Sequence, residues 1–107
     1  MAFRAEAVSF EIVVSVRGVV QRLGRVDRDL AEQIRRAASS IALNLFEGRG
    51  RSGKDRLHCY RIAQGSAFEV RAGLRLAVAW GHVDESAVAA SLEHVNALLA
   101  MFTGLLR

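Results

Sequence analysis

The chain contains no proline in its 107 residues, and it carries four long stretches in which apolar side chains recur every three or four positions. That spacing is typical of α-helices that bury one face. A chain without proline can continue such helices over many turns, and it lacks a residue on which turn-rich β-sandwiches depend. We therefore predict an all-α protein.

The boundaries of the four helices are indicated by capping residues and glycines. The first stretch runs from about Ala5 to Leu23. The second begins at Asp27, a good N-cap, and ends at Gly48, a good C-cap. The third opens with a variant of the capping box at Ser52 and Asp55 and ends at Gly81, and Asp84 caps the fourth. The spacing predicts a core face for each of the last three helices: Leu30, Ile34, Ala37, Ile41 and Leu45; Tyr60, Ala63, Ala67, Val70, Leu74 and Ala77; Val88, Leu92, Val95, Leu99, Phe102 and Leu106.

Four helices of about 20 to 28 residues with short connections predict an antiparallel up-down-up-down four-helix bundle, formed as a single domain by residues 1–107. The first helix is apolar except for one narrow polar stripe, and the fourth carries a second apolar stripe at Leu98, Met101 and Leu105. Such surplus apolar surface is rarely left in water. It predicts a homo-oligomer that associates through helices 1 and 4, the alternative being a monomer with a slightly apolar surface.

The charge distribution suggests a polyanionic partner. Fifteen basic and eleven acidic residues give a net charge of +4, and residues 17–75 hold 13 of the basic but only 6 of the acidic side chains. A basic middle segment is typical of nucleic-acid binding, although it equally fits a solvated surface or the docking of an acidic protein. The predicted phosphate contacts are Arg28, Arg35, Arg36, Arg49, Arg51, Lys54, Arg56 and Arg61, of which Arg36 is the best candidate for a structural role instead.

Composition also predicts the cellular location of the protein. The longest stretch without Asp, Glu, Lys or Arg has 13 residues, short of the roughly 20 that cross a bilayer, and charged residues interrupt the N-terminal segment. The single cysteine, Cys59, has no partner in the chain for a disulfide. We expect a cytoplasmic protein without a membrane partner.

Motifs for catalysis are weak. Gly48, Gly50 and Gly53 match G-x-G-x-x-G, but a helix rather than a strand precedes them, and Asp55 follows Lys54 where a P-loop needs Ser or Thr. One cysteine and three scattered histidines do not make a zinc site. We predict no enzyme activity, no catalytic residue, no metal and no cofactor. The basic glycine-rich loop remains a possible phosphate cradle at a helix N-terminus, against the alternative of a solvated hairpin.

A polar line beside the apolar face of the second helix predicts a structural network. Its members are Gln33, Ser40, Asn44 and Glu47, with Ser66 and Glu69 facing them from the third helix. The second and third helices are predicted to be antiparallel. If their connection centres near residue 50 or 51, a residue of one helix lies level with a residue of the other when their two numbers sum to about 101 to 103. That register predicts that Glu69 accepts a hydrogen bond from Gln33 or Arg36, and that Ser66 also lies near Arg36.

The segments Gln33–Ile41, Glu47–Arg51 and Arg61–Ser66, together with Asn44 and Glu69, carry a resemblance to a known family. In this combination they resemble the bacterial four-helix-bundle family first noticed as open reading frames in 23S ribosomal RNA intervening sequences. The match is strong over about residues 30–81. Two features depart from the family: Ala42 stands where a proline is usual, and the N-terminal segment lacks its usual tryptophan.

The resemblance implies a small antiparallel bundle that assembles as a ring-shaped pentamer. Distant relatives include accessory proteins of diversity-generating retroelements, which are basic pentamers that engage a reverse transcriptase and nucleic acid. The resemblance therefore implies RNA, DNA, a reverse transcriptase or another acidic protein as partners. The matching positions are Gln33, Arg36, Ser40, Asn44, Glu47, Gly48, Gly65, Ser66 and Glu69, interpreted mainly as determinants of fold and register.

Overall fold

The computed structural model describes residues 2–107 and contains four α-helices: α1 (Ala2–Leu23), α2 (Arg28–Arg49), α3 (Gly53–Ala79) and α4 (Glu85–Leu105). No strand occurs in this range. Each helix packs against its neighbours in the order α1, α2, α3, α4 and back to α1, giving a rod of 42 × 21 × 19 Å. The prediction of an all-α up-down-up-down bundle is confirmed.

The capping predictions have mixed outcomes. Asp27 caps α2, because its Oδ1 accepts a hydrogen bond of 3.1 Å from the backbone N–H of Leu30. Ser52 and Asp84 stand at the N-cap positions of α3 and α4 in extended conformations, but neither side chain makes a capping hydrogen bond. The capping box predicted at Ser52 is therefore wrong. Gly81, at a φ of 78°, ends α3 as predicted, and the N–H of His82 reaches back to the carbonyl of Ala77 over 2.9 Å.

Gly48 is not the C-cap of α2, contrary to the sequence prediction. The helix continues to Arg49, and Gly50 takes the C-cap position. Gly48 is buried against α3: a Cβ at this position would stand 2.6 Å from Cε1 of Tyr60 and 3.1 Å from Cβ of Cys59. The position needs a glycine for close helix packing rather than for a turn.

The predicted core faces of α2 and α3 are confirmed, since every side chain named for them is buried. On the predicted core face of α4, burial alternates along the helix: Val88, Val95 and Phe102 are buried, whereas Leu92, Leu99 and Leu106 are half-buried against the core. The core faces of these three helices therefore lie where helical spacing predicts them.

The surplus apolar stripe predicted on α4 is wrong. Leu98 is fully buried, and Met101 and Leu105 are half-buried against the core. The physical reason is the orientation of α4, which turns this side towards α1; His94, on the same side, lies 3.2 Å from Glu11 of α1. The large exposed apolar side chains lie instead on the other helices and the α1–α2 connection: Phe3, Phe10, Val14, Val26, Leu43, Phe46, Ile62, Phe68, Leu76 and Trp80.

By length and composition alone, the helix Glu85–Leu105 is long and apolar enough to cross a membrane. Of its most apolar 18-residue window, 28% is buried within the bundle. The exposed side of α4 is made mostly of small residues, among them Ala90, Ala97 and Ala100. In this fold the helix serves as one wall of the bundle through Val88, Val95 and Phe102.

Candidate nucleic-acid interface

The eight predicted phosphate contacts are all exposed, but the fold divides them into two groups. Arg28, Arg35 and Arg36 lie in the first half of α2, whereas Arg49, Arg51, Lys54, Arg56 and Arg61 surround the α2–α3 connection. Residues 28 and 49 are about 30 Å apart along the helix axis, at 1.5 Å per residue. The structure therefore does not bring the eight side chains into one site.

The connection between α2 and α3 lies at the end of the bundle where α1 begins and α4 ends, which we call the basic end. Its cations are Arg4, Arg49, Arg51, Lys54, Arg56 and Arg107, and its carboxylates are Glu6, Glu47 and Asp55. Arg107 lines the same surface depression as Arg56, between α3 and the end of α4. Sequence reasoning missed Arg4 and Arg107 because only the antiparallel fold brings both chain termini to this connection.

The opposite end of the bundle has no excess of positive charge. There the cations Arg22, Arg25 and Arg28 stand with the carboxylates of Asp27, Asp29, Asp84 and Glu85. His82 Nε2 lies 3.2 Å from Asp27 Oδ2 and joins α2 to the α3–α4 connection. The excess of positive charge therefore belongs to one end of the molecule.

Arg49 is held by two partners from α1. Its Nη1 donates a hydrogen bond of 3.0 Å to Oε1 of Glu6, and its guanidinium carbon lies 3.7 Å from the ring centroid of Phe3. Glu6 is buried, whereas 42% of the Arg49 side chain is exposed. The arginine is thus fixed in position while most of its N–H donors still face water. Sequence reasoning missed Glu6; its position off the polar stripe of α1 was the available signal.

Arg56 has a structural role at the α2–α3 connection. Its Nε donates to the carbonyl of Gly48 over 3.1 Å and its Nη2 to that of Arg49 over 3.4 Å. These are among the last carbonyls of α2, which have no partner within their own helix. Arg51 pairs with Glu47 over 2.8 Å on the surface. Within the described range, Arg28, Lys54 and Arg61 make no side-chain hydrogen bond or ion pair.

Arg35 and Arg36 both bind Glu32 on the surface of α2. The hydrogen bond from Arg35, joined by the one from Arg36, lowers the pKa of Glu32 to about 2, and Glu32 in turn raises the pKa of Arg35. Arg36 therefore pairs with Glu32 on the surface, with 76% of its side chain exposed, and not with Glu69.

Only part of the predicted polar network forms. Ser66 donates to Ser40 Oγ over 2.8 Å, and Asn44 Nδ2 donates to the same oxygen over 3.1 Å. Gln33 and Glu69 are exposed and Glu47 pairs with Arg51, so these three predicted members are wrong.

The cause is the register between the two helices. Ser40 faces Ser66, and Ile34 faces Gly73, so residue numbers at one height sum to about 106 or 107 rather than 101 to 103. The helices are offset by about one turn relative to the symmetrical hairpin. Ser66 therefore meets Ser40 and not Arg36.

Three exposed phenylalanines lie beside the basic end and were not identified from the sequence. The rings of Phe10 and Phe46 meet edge to face with centroids 5.7 Å apart, and Phe3 lies under Arg49. Phe68 forms a separate pair with Arg71 on α3, at 5.0 Å. Helical spacing does not distinguish an exposed phenylalanine at the edge of an apolar face from a buried one.

Side chains with catalytic or metal-binding potential are dispersed. His58 is exposed while the neighbouring Cys59 is buried, as expected for adjacent positions on a helix. Across residues 2–107, no group of three or more His, Cys, Asp or Glu residues is placed to hold a metal ion.

The fold and the charge distribution define a small helical bundle with one basic end. The chain belongs to the 23S rRNA-intervening sequence protein family, whose sequence profile matches residues 5–104. The family resemblance predicted from the sequence is therefore confirmed.

The structure is similar to the crystal structure of a protein with unknown function from the S23 ribosomal protein family of Bacteroides thetaiotaomicron VPI-5482. The two chains share 17% sequence identity with a TM-score of 0.87, over 96% of this chain and 98% of that one. At this identity the likeness shows the fold. None of the curated proteins compared with the chain matches it.

Proposed function

We propose that this protein is a non-enzymatic homo-oligomer that binds nucleic acid through phosphate contacts at the basic end. The observation that carries the proposal is the charge asymmetry of the bundle: six cations and three carboxylates lie at one end, whereas three cations and four carboxylates lie at the other. A patch of like charge attracts polyanions and contacts phosphates without reading base sequence.

The cations of the basic end differ in how free they are to contact a phosphate. Arg56 supports α2 and Arg49 is anchored by Glu6. Among residues 2–107, Lys54 has no side-chain partner, and Arg51 forms one exposed ion pair, with Glu47. Exposed ion pairs contribute little free energy, so a phosphate competes readily with Glu47 for Arg51. Arg61, about two turns further along α3, extends the same surface.

Self-association in this proposal uses α3 rather than helices 1 and 4. Leu76 and Trp80 lie one turn apart at the end of α3, and Trp80, its C-cap residue, is 71% exposed. Ile62 lies on the same side of α3 about 21 Å away, beyond the exposed Glu69. Exposed apolar side chains that lie together are typical of protein interfaces. The family resemblance implies five copies, and five chains of net charge +4 carry +20 together. Assembly would therefore concentrate the phosphate contacts.

The mass of the purified chain by multi-angle light scattering tests self-association. We expect an oligomer whose mass falls when Leu76 and Trp80 are both changed to Gln. Leu43→Gln is the matched control, because Leu43 is similarly exposed on α2. A wild-type monomer at micromolar concentration, or an equal loss of mass in the control, would contradict this part of the proposal.

Binding to a labelled fragment of 23S rRNA, followed by fluorescence anisotropy, tests the nucleic-acid role. In the test variant Arg51, Lys54 and Arg61 are changed to Gln; in the control Arg22, Arg25 and Arg75 are changed, removing the same charge elsewhere. We expect the test variant to bind more weakly and to lose about two to three units of salt slope, with little change in the control.

Equal losses in the two variants would show that net charge alone, and not the basic end, attracts the RNA. If the wild-type chain binds no RNA but captures an acidic protein in a pull-down that survives nuclease, the second candidate replaces the first. That candidate is an interaction adaptor in which the same cations dock acidic side chains.

A further inference from the structure

Two facing rows of phenylalanine and arginine run along the outer edge of the α1–α2 contact. Phe3, Phe10 and Arg17 lie seven residues apart on α1, and Arg49, Phe46 and Arg35 follow in antiparallel order on α2. We call these six residues the Phe/Arg strip. It starts at the basic end and extends about 21 Å along α1, at 1.5 Å per residue.

The rows pair across the two helices. The Arg49 guanidinium lies 3.7 Å from the centroid of Phe3, and the rings of Phe10 and Phe46 are 5.7 Å apart. Arg17 and Arg35 line the rim of one apolar groove of about 210 Å³, floored by side chains that include Val16 and Ala38. From the basic end, the strip therefore presents Arg49 on Phe3, then the rings of Phe10 and Phe46, and then the apolar groove with Arg17 and Arg35 at its rim.

The rings of the strip are available for contact. Phe3, Phe10 and Phe46 are 67%, 53% and 44% exposed. Phenylalanine side chains of a soluble bundle are usually buried in its core. Here the aliphatic side chains of α1 and α2 already fill the core, and these three rings lie on the surface.

The carboxylates near the strip position its arginines without occupying all of their donors. Glu6 takes one N–H of Arg49, and Glu32 takes two from Arg35, of the five that each guanidinium carries. Arg17 has no ion pair within the described residues. Glu11 borders Phe10 but pairs with His94 of α4. Fixed guanidinium groups with spare donors suit phosphate oxygens.

We propose that the Phe/Arg strip binds single-stranded nucleic acid, its phenylalanine rings stacking on unpaired bases and its arginines contacting the flanking phosphates. This inference rests on the proposed function and names its substrate class. The strip places exposed rings between guanidinium groups at its two ends, and a single strand offers unpaired bases flanked by phosphates. A duplex keeps its bases stacked inside and cannot use the rings, whereas single strands bind proteins through stacking platforms and basic grooves.

The test compares labelled oligothymidylate and oligouridylate of about 12 nucleotides, within the usual site sizes of single-strand binders, with a duplex of the same charge. In the test variant Phe10 and Phe46 are both changed to Leu, which keeps the apolar surface but removes the rings. Phe68→Leu is the matched control, because Phe68 is 46% exposed beside Arg71 on α3. Arg17→Gln is a second, independent variant.

We expect the wild-type chain to prefer single strands and the double variant to lose about tenfold in single-strand affinity, as the loss of base stacking predicts. Duplex affinity, oligomer mass and the Phe68→Leu control should stay unchanged, and Arg17→Gln should reduce the salt slope by about 0.7. Tighter binding of oligouridylate identifies RNA as the ligand, and tighter binding of oligothymidylate identifies DNA.

Equal wild-type affinity for duplex and single strand would overturn this inference and leave the phosphate contacts of the basic end intact. Binding of neither would remove the proposed function itself. A double variant that loses oligomer mass but keeps single-strand affinity would show that a second copy of the chain covers the strip.

Discussion

Gly73 of α3 lies directly against Ile34 of α2. A Cβ at residue 73 would stand 2.6 Å from Cγ1 of Ile34, and Ile34 is itself fully packed, with 1% of its surface exposed. Together with Gly48 against Tyr60 and Ser66 against Ser40, this contact defines the register of the two central helices. The register in turn determines which side chains of α2 and α3 face each other.

Gly73→Ala should destabilise the bundle. The added methyl must displace a stiff β-branched side chain, and overpacking of this kind costs about 1 to 3 kcal/mol, more than the 0.5 to 1 kcal/mol that alanine gains over glycine in a helix. Gly65→Ala is the control, because a Cβ there meets nothing within 4 Å; it should stabilise the protein. Urea unfolding measures both. A stabilised Gly73→Ala variant would contradict the observed register.

Ser66→Ala should lower the free energy of unfolding by about 1 kcal/mol, because it removes a hydrogen bond between half-buried hydroxyls. The hydroxyl of Ser39 donates to the carbonyl of Arg35 within its own helix, so Ser39→Ala should change stability by less than about 0.5 kcal/mol. A double-mutant cycle between Ser40 and Ser66 isolates the interaction. A coupling energy of zero would show that the two hydroxyls do not bond in solution.

Arg49→Met should cost more stability than Glu6→Gln, although both remove the same ion pair. Loss of the arginine leaves the buried Glu6 carboxylate unpaired, while loss of the carboxylate leaves an exposed guanidinium that water can solvate. We expect about 1 to 3 kcal/mol for Arg49→Met, below the usual cost for a fully buried pair because the arginine is 42% exposed. The opposite ranking in chemical denaturation would mean that Glu6 is solvated.

The carboxyl group of Glu32 should titrate at a pH of about 2 rather than 4.5, because the hydrogen bond from Arg35 stabilises the charged form. A pKa lowered by folding contributes stability above the unfolded pKa, and that contribution disappears as the pH falls from about 4.5 towards 2. Carbon-13 NMR of the Glu32 carboxyl measures the midpoint. Arg35→Gln should raise the pKa more than Arg36→Gln. A wild-type midpoint near 4.5 would show that the pairing is absent.

Local sequence signals predicted the fold well. The core faces of α2 and α3, the Asp27 cap and the end of α3 at Gly81 all depend on residues within one or two helical turns of each other. Helical spacing fixes which side of a helix is buried, and capping chemistry fixes where it starts.

Relations between helices were predicted less well, for a physical reason. The register between α2 and α3 depends on where Gly48 and Gly73 allow backbones to approach, and the burial of Leu98 depends on how α4 turns towards α1. The pairing of Glu6 with Arg49 joins residues 43 positions apart. No periodicity within one helix contains this information, and only the fold adds Arg4 and Arg107 to the basic connection between α2 and α3.

The salt dependence of binding to a 23S rRNA fragment tests the central claim most directly. If the basic end contacts four or more phosphates, affinity measured between about 50 and 200 mM salt should fall with a log–log slope of about −3 or steeper. A slope near zero, or no binding at 50 mM salt, would contradict the account.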